Sequence, residues 1–289
     1  MIPSAFTYVR ATDLADALRL LADGGDDAKL LAGGQSLIPM MKLRVANPRL
    51  IVDLGDIAGL RTIDASANPV RIGALATHDR IAADAAVAAA VPALSDAANV
   101  IGDPQIRNFG TIGGSSVHSD PGADYPAVLL ALNATFSLTS ASGVRDVRAD
   151  DFFVGMYETS LHADREILTE VSIVHAPASA YVKIEHPASG YAIAGGAARL
   201  ELTRGAITAA RIAITGVGDI AFRARGVEAA LIGVRATDDD AIERACRGTA
   251  DGIDPQGDIL CPSDYRFAMA DVVAMRAIRR ALRRGETHW

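Results

Sequence analysis

Apolar positions along the chain fall into short runs of strand length, separated by stretches with helical spacing. After an extended start, Leu14, Ala17, Leu18 and Leu21 share one face of a helix, with Thr12 as its N-cap and Gly24-Gly25 as its stop. Strand-length runs follow at residues 29–32, 50–54 and 70–73. Residues 81–100 are alanine-rich and helical in pattern, broken at Pro92. Residues 102–122 are dense in Gly, Ser, Asp and Pro and show no apolar period, which predicts a long functional loop. A buried helix is expected at 124–132, and strands at 134–139 and 167–174.

The rhythm changes after Pro177-Ala178-Ser179. Two alternating strands, 194–202 and 207–214, flank a turn at Arg204-Gly205, and helices are expected at 225–232, 238–247 and 263–284. The last carries Tyr265, Met269, Val272, Met275, Ile278 and Leu282 at helical spacing, which predicts a core face. The pattern is mixed α+β in two domains.

Composition narrows the classes. The chain has 289 residues, half of them hydrophobic, but 55 are alanine, so its core must be close-packed from small side chains. A net charge of −7 argues against nucleic acid or anionic lipid as partner. No long apolar window spans a membrane, and the start lacks a signal-peptide pattern, so a cytoplasmic protein is expected. Cys246 and Cys261 are too few for a disulfide framework or for the four thiolates of an iron–sulfur cluster.

Two glycine turns carry the strongest chemical signal. Ala32-Gly33-Gly34-Gln35-Ser36, followed by Leu37, comes directly after a predicted strand, and Thr111-Ile112-Gly113-Gly114-Ser115 lies in the long loop. Paired glycines let backbone amides approach an anion with no Cβ in the way. Either turn alone reads as an ordinary strand end, whereas the two together suit a diphosphate held from both sides. Gly216-Val217-Gly218-Asp219-Ile220-Ala221 fits a dinucleotide-binding hexamer, but no second parallel strand follows, which makes it a decoy. His118, Asp120 and Asp124 form a metal-like spacing, and Ser116 a nominal nucleophile. No second histidine cluster completes a ligand shell, so no metal is expected, and Asp124 is read as a helix cap.

With Ile106-Arg107-Asn108-Phe109-Gly110 ahead of the second turn, and His186-Pro187-Ala188-Ser189-Gly190-Tyr191-Ala192 further on, the chain resembles the FAD-binding medium subunits of molybdenum hydroxylases. Within this xanthine dehydrogenase family it looks most like the medium chain of aerobic carbon monoxide dehydrogenase. The likeness runs essentially from end to end. It implies an FAD-binding domain of the vanillyl-alcohol-oxidase (PCMH) type, with two α+β subdomains, over residues 1–177. A smaller C-terminal α+β domain with an antiparallel sheet is implied over 178–289.

The resemblance also implies that Ala32, Gly33, Gly34, Gln35, Ser36 and Leu37, with Thr111, Ile112, Gly113, Gly114 and Ser115, bind the FAD diphosphate and flank the flavin. Asp124, Ile101, Leu168 and Lys183 fall at further cofactor contacts, and Tyr191 falls beside the ring. Phe109 and Cys261 depart from the family pattern, which points to partner surfaces particular to this protein. The implied partners are a large molybdenum-cofactor subunit and a small [2Fe–2S] subunit, in a dimer of heterotrimers. The implied role is electron transfer to an external acceptor. The competing class is a stand-alone flavin oxidase or reductase, against which the small C-terminal domain speaks because it leaves little room for a substrate pocket.

Overall fold

The computed structural model describes residues 2–259 and 261–285. Its first unit is a three-stranded parallel sheet in the order Thr7–Arg10, Leu50–Asp53, Ala28–Leu31. The helix Leu14–Gly24 covers it with Ala17, Leu18 and Leu21, which join Val52, Leu54 and Leu60 in one apolar cluster. Asp13, not Thr12, caps this helix, accepting from the Asp16 amide. Thr12 instead donates to the Asp16 carboxylate through its amide and hydroxyl. Gly25, at φ 50°, ends the helix with its amide on the Leu21 carbonyl.

The second unit is a five-stranded antiparallel sheet ordered Ile63–Asp64, Val70–Gly73, Ile167–Ile173, Thr135–Ser140, Gly143–Arg148. Short helices pack on it. The alanine-rich stretch is three of them, His78–Ala83, Ala85–Ala90 and Pro92–Val100, with Pro92 in the first turn, where its missing N–H costs nothing. The expected long loop holds two more, Pro104–Phe109 and Ile112–His118, capped by Asp103 and Thr111. Each is too short for an apolar period to show. The helix Asp124–Leu132 is buried throughout.

The third unit is a four-stranded antiparallel sheet, Ser179–Glu185, Ala192–Thr203, Ala206–Thr215 and Phe222–Arg223. Arg204 and Gly205 both take positive φ, 54° and 75°, in the predicted hairpin turn. Alternation sorts its faces: Ala198, Ile212 and Ile214 pack toward the long helix Ser263–Gly285, while Ala197 and Ala213 join the cluster around Asp124–Leu132. This sheet is therefore buried on both sides, and only small residues allow the helix to approach. A Cβ on Gly196 would stand 2.7 Å from the Val273 carbonyl. Arg199 and Arg211 donate to the carbonyls of Leu132 and Leu130, satisfying the C-terminal end of the buried helix.

Asp96 ties the long helix to the second unit. It accepts from Arg280 and Arg284 at 2.8 and 2.7 Å, and from the Tyr181 amide at 3.0 Å. Asp96→Ala leaves the buried Tyr181 amide without this acceptor and takes the carboxylate away from two guanidiniums, which keep the carbonyls of Tyr181 and Ser179. The expected loss is about 2 kcal/mol, read from urea unfolding midpoints. Among the described residues, no helix is long and apolar enough to cross a membrane.

Candidate cofactor-binding site

The two glycine turns, about 80 residues apart in sequence, meet in the fold. Gly33 lies directly on the backbone at Phe109 and Gly110, where any Cβ would overlap the Phe109 carbonyl. A Cβ on Gly114 would stand 3.9 Å from that of Ala32 and 3.0 Å from Thr111 Oγ1, with nothing else near it.

The second turn is built from behind. Ile112 and Gly113 donate to the carbonyls of Ala76 and Ala74, at 3.1 and 2.9 Å, and the Gly114 amide donates to Thr111 Oγ1 at 3.0 Å. Gly113 has no room for a side chain, since a Cβ would sit 2.6 Å from Ala74. His78 supports the same turn: its amide donates to the Gly110 carbonyl, its ring packs on Gly110, and its Nδ1 lies 3.1 Å from the Tyr125 hydroxyl. Burial, with Arg107 close by, pulls its pKa down to about 4, so the ring is neutral.

The first turn supplies the donors. Gly34 takes φ 74°, and Ser36 leads into the short helix Leu37–Lys42 without a side-chain cap. Among the described residues, the amides of 33, 34, 35, 36 and 37 donate to no protein acceptor. Five consecutive unused amides around a left-handed glycine form a concave donor surface suited to an anion. The residues present therefore fit a diphosphate.

The remaining predicted positions form a second neighbourhood. Asp124 and Lys183 side chains are 5% and 3% exposed and 3.2 Å apart. The other hydrogen bond to Asp124 comes from the Tyr181 hydroxyl at 2.6 Å, and Lys183 also donates to the Gly190 carbonyl at 2.6 Å. Burial pushes the Asp124 carboxyl up to about 6, although Lys183 and Tyr181 pull it down. Asp124 is thus not a cap. The N-cap position belongs to Ala123, and the Asp124 side chain turns inward to the C-terminal sheet.

Lys183 fixes the turn that presents Tyr191, whose ring packs beside Gly122. Burial and the nearby Asp120 push the Tyr191 hydroxyl up to about 12, which keeps it a neutral donor. A Cβ on Gly190 would stand 3.9 Å from Gly102, so Ile101 and Tyr191 lie on adjoining turns. The Leu168 side chain is buried in the central cluster, and the neighbouring Thr169 carbonyl holds the amide of Ala74, which in turn holds Gly113.

Sequence reasoning missed Arg107 and His78. Arg107 donates to the carbonyls of Ile101 and Gly102 at 3.2 and 2.7 Å, fixing one neighbourhood as His78 fixes the other. Its place in the Ile106–Gly110 motif was the available signal.

The other candidates resolve physically. Ser116 is fully buried and donates to the Ile112 carbonyl at 2.8 Å, so it is not a nucleophile. The His118 ring packs against Tyr157, tilted by 43° with centroids 5.1 Å apart, and no group of three or more metal-type side chains gathers among the described residues. The Gly216–Ala221 hexamer links antiparallel strands, with Gly216 at φ 81° and its amide on the Pro121 carbonyl. Cys261 is buried, its amide on the Asp258 side chain, whereas Phe109 is 61% exposed.

Comparison with known proteins agrees with this geometry. Residues 4–175 match the FAD-binding domain in molybdopterin dehydrogenase, and residues 179–281 match the CO dehydrogenase flavoprotein C-terminal domain. The chain is 40% identical to the glyceraldehyde dehydrogenase medium chain of Sulfolobus acidocaldarius, covering 96% of this chain and 99% of that one. The carbon monoxide dehydrogenase structure from Hydrogenophaga pseudoflava superposes with a TM-score of 0.93 at 39% identity, covering 98% of this chain and 99% of the other. Quinoline 2-oxidoreductase from Pseudomonas putida 86 gives 0.91 at 34%, covering 98% and 99%. A parallel-sheet unit, an antiparallel unit and a C-terminal antiparallel sheet, with two glycine turns meeting between helices, place this chain in the family of FAD-binding medium subunits of molybdenum hydroxylase-type oxidoreductases.

Proposed function

We propose that the chain is the electron-transfer subunit of a cytoplasmic molybdenum hydroxylase complex. It would receive electrons from the [2Fe–2S] clusters of a small subunit and pass them to an external acceptor, while a large molybdenum-cofactor subunit oxidises the substrate. Three subunits, paired as a dimer of heterotrimers, complete the assembly. The division of labour within the chain is an FAD-binding domain over 1–177 and a C-terminal domain over 178–289. Relatives named as a medium chain and as a subunit of a dehydrogenase complex support this reading.

The observation that carries it is the donor surface of residues 33–37 set against the second glycine turn. Residues 32–37 and 111–115 hold the diphosphate of FAD in this reading. Ile101, Asp124, Leu168, Lys183 and Tyr191 shape the flavin end, with Lys183 fixing the Gly190–Tyr191 turn and Asp124 acting through Lys183. FAD, when bound, supplies the redox chemistry, which no side chain of this protein supplies. The protein's own work is to bind, orient and tune it.

Two measurements test this. Acid release and chromatography should yield FAD, non-covalently held, at about one per chain, because two diphosphate-binding turns have no use for a mononucleotide. FMN, or flavin retained on the precipitate, counts against the site. The chain alone should then show a flavin spectrum without an iron–sulfur shoulder and no hydroxylase turnover, and adding both partner subunits should make flavin reduction substrate-dependent. Turnover of a small substrate by the chain alone would favour the stand-alone oxidase instead.

A further inference from the structure

A cavity of about 470 Å³ opens in the C-terminal half, between the strand Phe222–Arg223, the helix Arg225–Leu231 and the chain that follows the helix Asp239–Ala245. None of its lining residues belongs to the glycine turns or to the Asp124–Lys183–Tyr191 neighbourhood. Four arginines line it, Arg223, Arg225, Arg244 and Arg247, against one carboxylate, Asp251. That is a local excess of positive charge in a chain whose net charge is −7.

The arginines are not equally committed. Arg223 is spent on Glu228 and Asp150. Arg247 lies 3.9 Å from Glu243, and both side chains are exposed, so the pair is weak. Arg244 forms no ion pair with any described residue, and Arg225 forms none within 4 Å, although its charge helps hold the Asp150 carboxyl below its usual range. Guanidiniums gathered on a concave wall focus a positive potential, and their planar forks match phosphoryl oxygens. The rest of the lining includes the apolar side chains of Phe222, Val227 and Ile253. The volume falls in the range of small-molecule sites and exceeds what a bare anion fills.

We propose that this cavity binds a small organic phosphate of nucleotide size, its phosphoryl groups taken by Arg225 and Arg244 and its apolar body laid against Phe222, Val227 and Ile253. The inference is independent of the electron-transfer reading, since it uses none of the same residues.

The test is calorimetric titration of the flavin-loaded protein, so that the glycine turns are already filled, with ADP, pyrophosphate and adenosine. ADP should bind, pyrophosphate more weakly, and adenosine not at all. The double variant Arg225→Ala/Arg244→Ala should weaken ADP binding by at least about tenfold, through loss of two charge-assisted contacts. Its flavin content and melting temperature should stay unchanged. The control Arg71→Ala/Arg165→Ala, which removes two exposed positive charges elsewhere, should leave the affinity unaltered. Absence of ADP binding, or equal affinity in the Arg225/Arg244 variant, overturns the site. Pyrophosphate binding as tightly as ADP overturns the organic ligand in favour of a bare anion.

Discussion

Gly114→Val should yield a folded chain that carries no flavin. The second glycine turn starts a short helix, and Gly114 is its third residue, where valine is compatible with the backbone. A Cβ there must displace Thr111 Oγ1 by a few tenths of an ångström, but meets no backbone. The two added methyl groups would then stand between the turns, toward Ala32, in the space through which backbone must reach a diphosphate. Gly33→Val differs, because its Cβ overlaps the Phe109 carbonyl and must push the turns themselves apart. That variant should lose both flavin and cooperative unfolding. Gly59→Val, with nothing within 4 Å, should lose neither. Flavin absorbance per chain and a thermal unfolding curve read all three. A Gly114→Val protein with full flavin, or one that unfolds like Gly33→Val, would falsify the placement of the cofactor between the turns.

The glycine turns were legible in sequence because glycine at such a position has a local reason, a positive φ at Gly34 or a carbonyl against Gly33, and local reasons leave a residue signature. The hairpin at Arg204-Gly205 and the alternation on both sides of it were legible for the same cause. Elements without enough length to repeat a pattern were not. The helices Leu37–Lys42, Pro104–Phe109 and Ile112–His118 each run for fewer than two full turns, and the first contains Pro39. The strand Gly143–Arg148 stands at a sheet edge with one face in solvent and few apolar residues to betray it. Asp124 shows the limit most clearly. Its position before a helix reads as a cap, and its partners, Tyr181 and Lys183, lie 57 and 59 residues away, where no local rule reaches. The resemblance implies cofactor contacts at Asp124 and Lys183, and the fold joins the two in a buried pair behind the Tyr191 turn.

That pair makes the last prediction a matter of pH. The folded Asp124 carboxyl is raised to about 6 by burial, from an unperturbed value of 3.8. A carboxyl whose pKa rises on folding takes up a proton as the chain folds. Its stabilising contribution is full below about pH 4 and is lost as pH rises through about 6, an amount on the order of 3 kcal/mol. Lys183 limits that loss by standing 3.2 Å from the carboxylate in a nearly dry site. Lys183→Met removes the cation and leaves the aliphatic volume.

At pH 8 this variant must either hold an unpaired buried carboxylate or keep it protonated far from its usual range, at a cost of about 3–5 kcal/mol. At pH 5 Asp124 is already mostly neutral, donates or accepts as a carboxylic acid, and the same substitution should cost much less. Asp124→Asn should flatten the pH dependence, and at pH 8 Asp124→Asn/Lys183→Met should be more stable than Lys183→Met alone, because no charge is left buried. Urea midpoints at both pH values, measured on flavin-free protein so that cofactor affinity adds nothing, read the cycle. A Lys183→Met loss that is the same at pH 5 and pH 8 would mean that lysine contributes packing and its bond to the Gly190 carbonyl rather than charge.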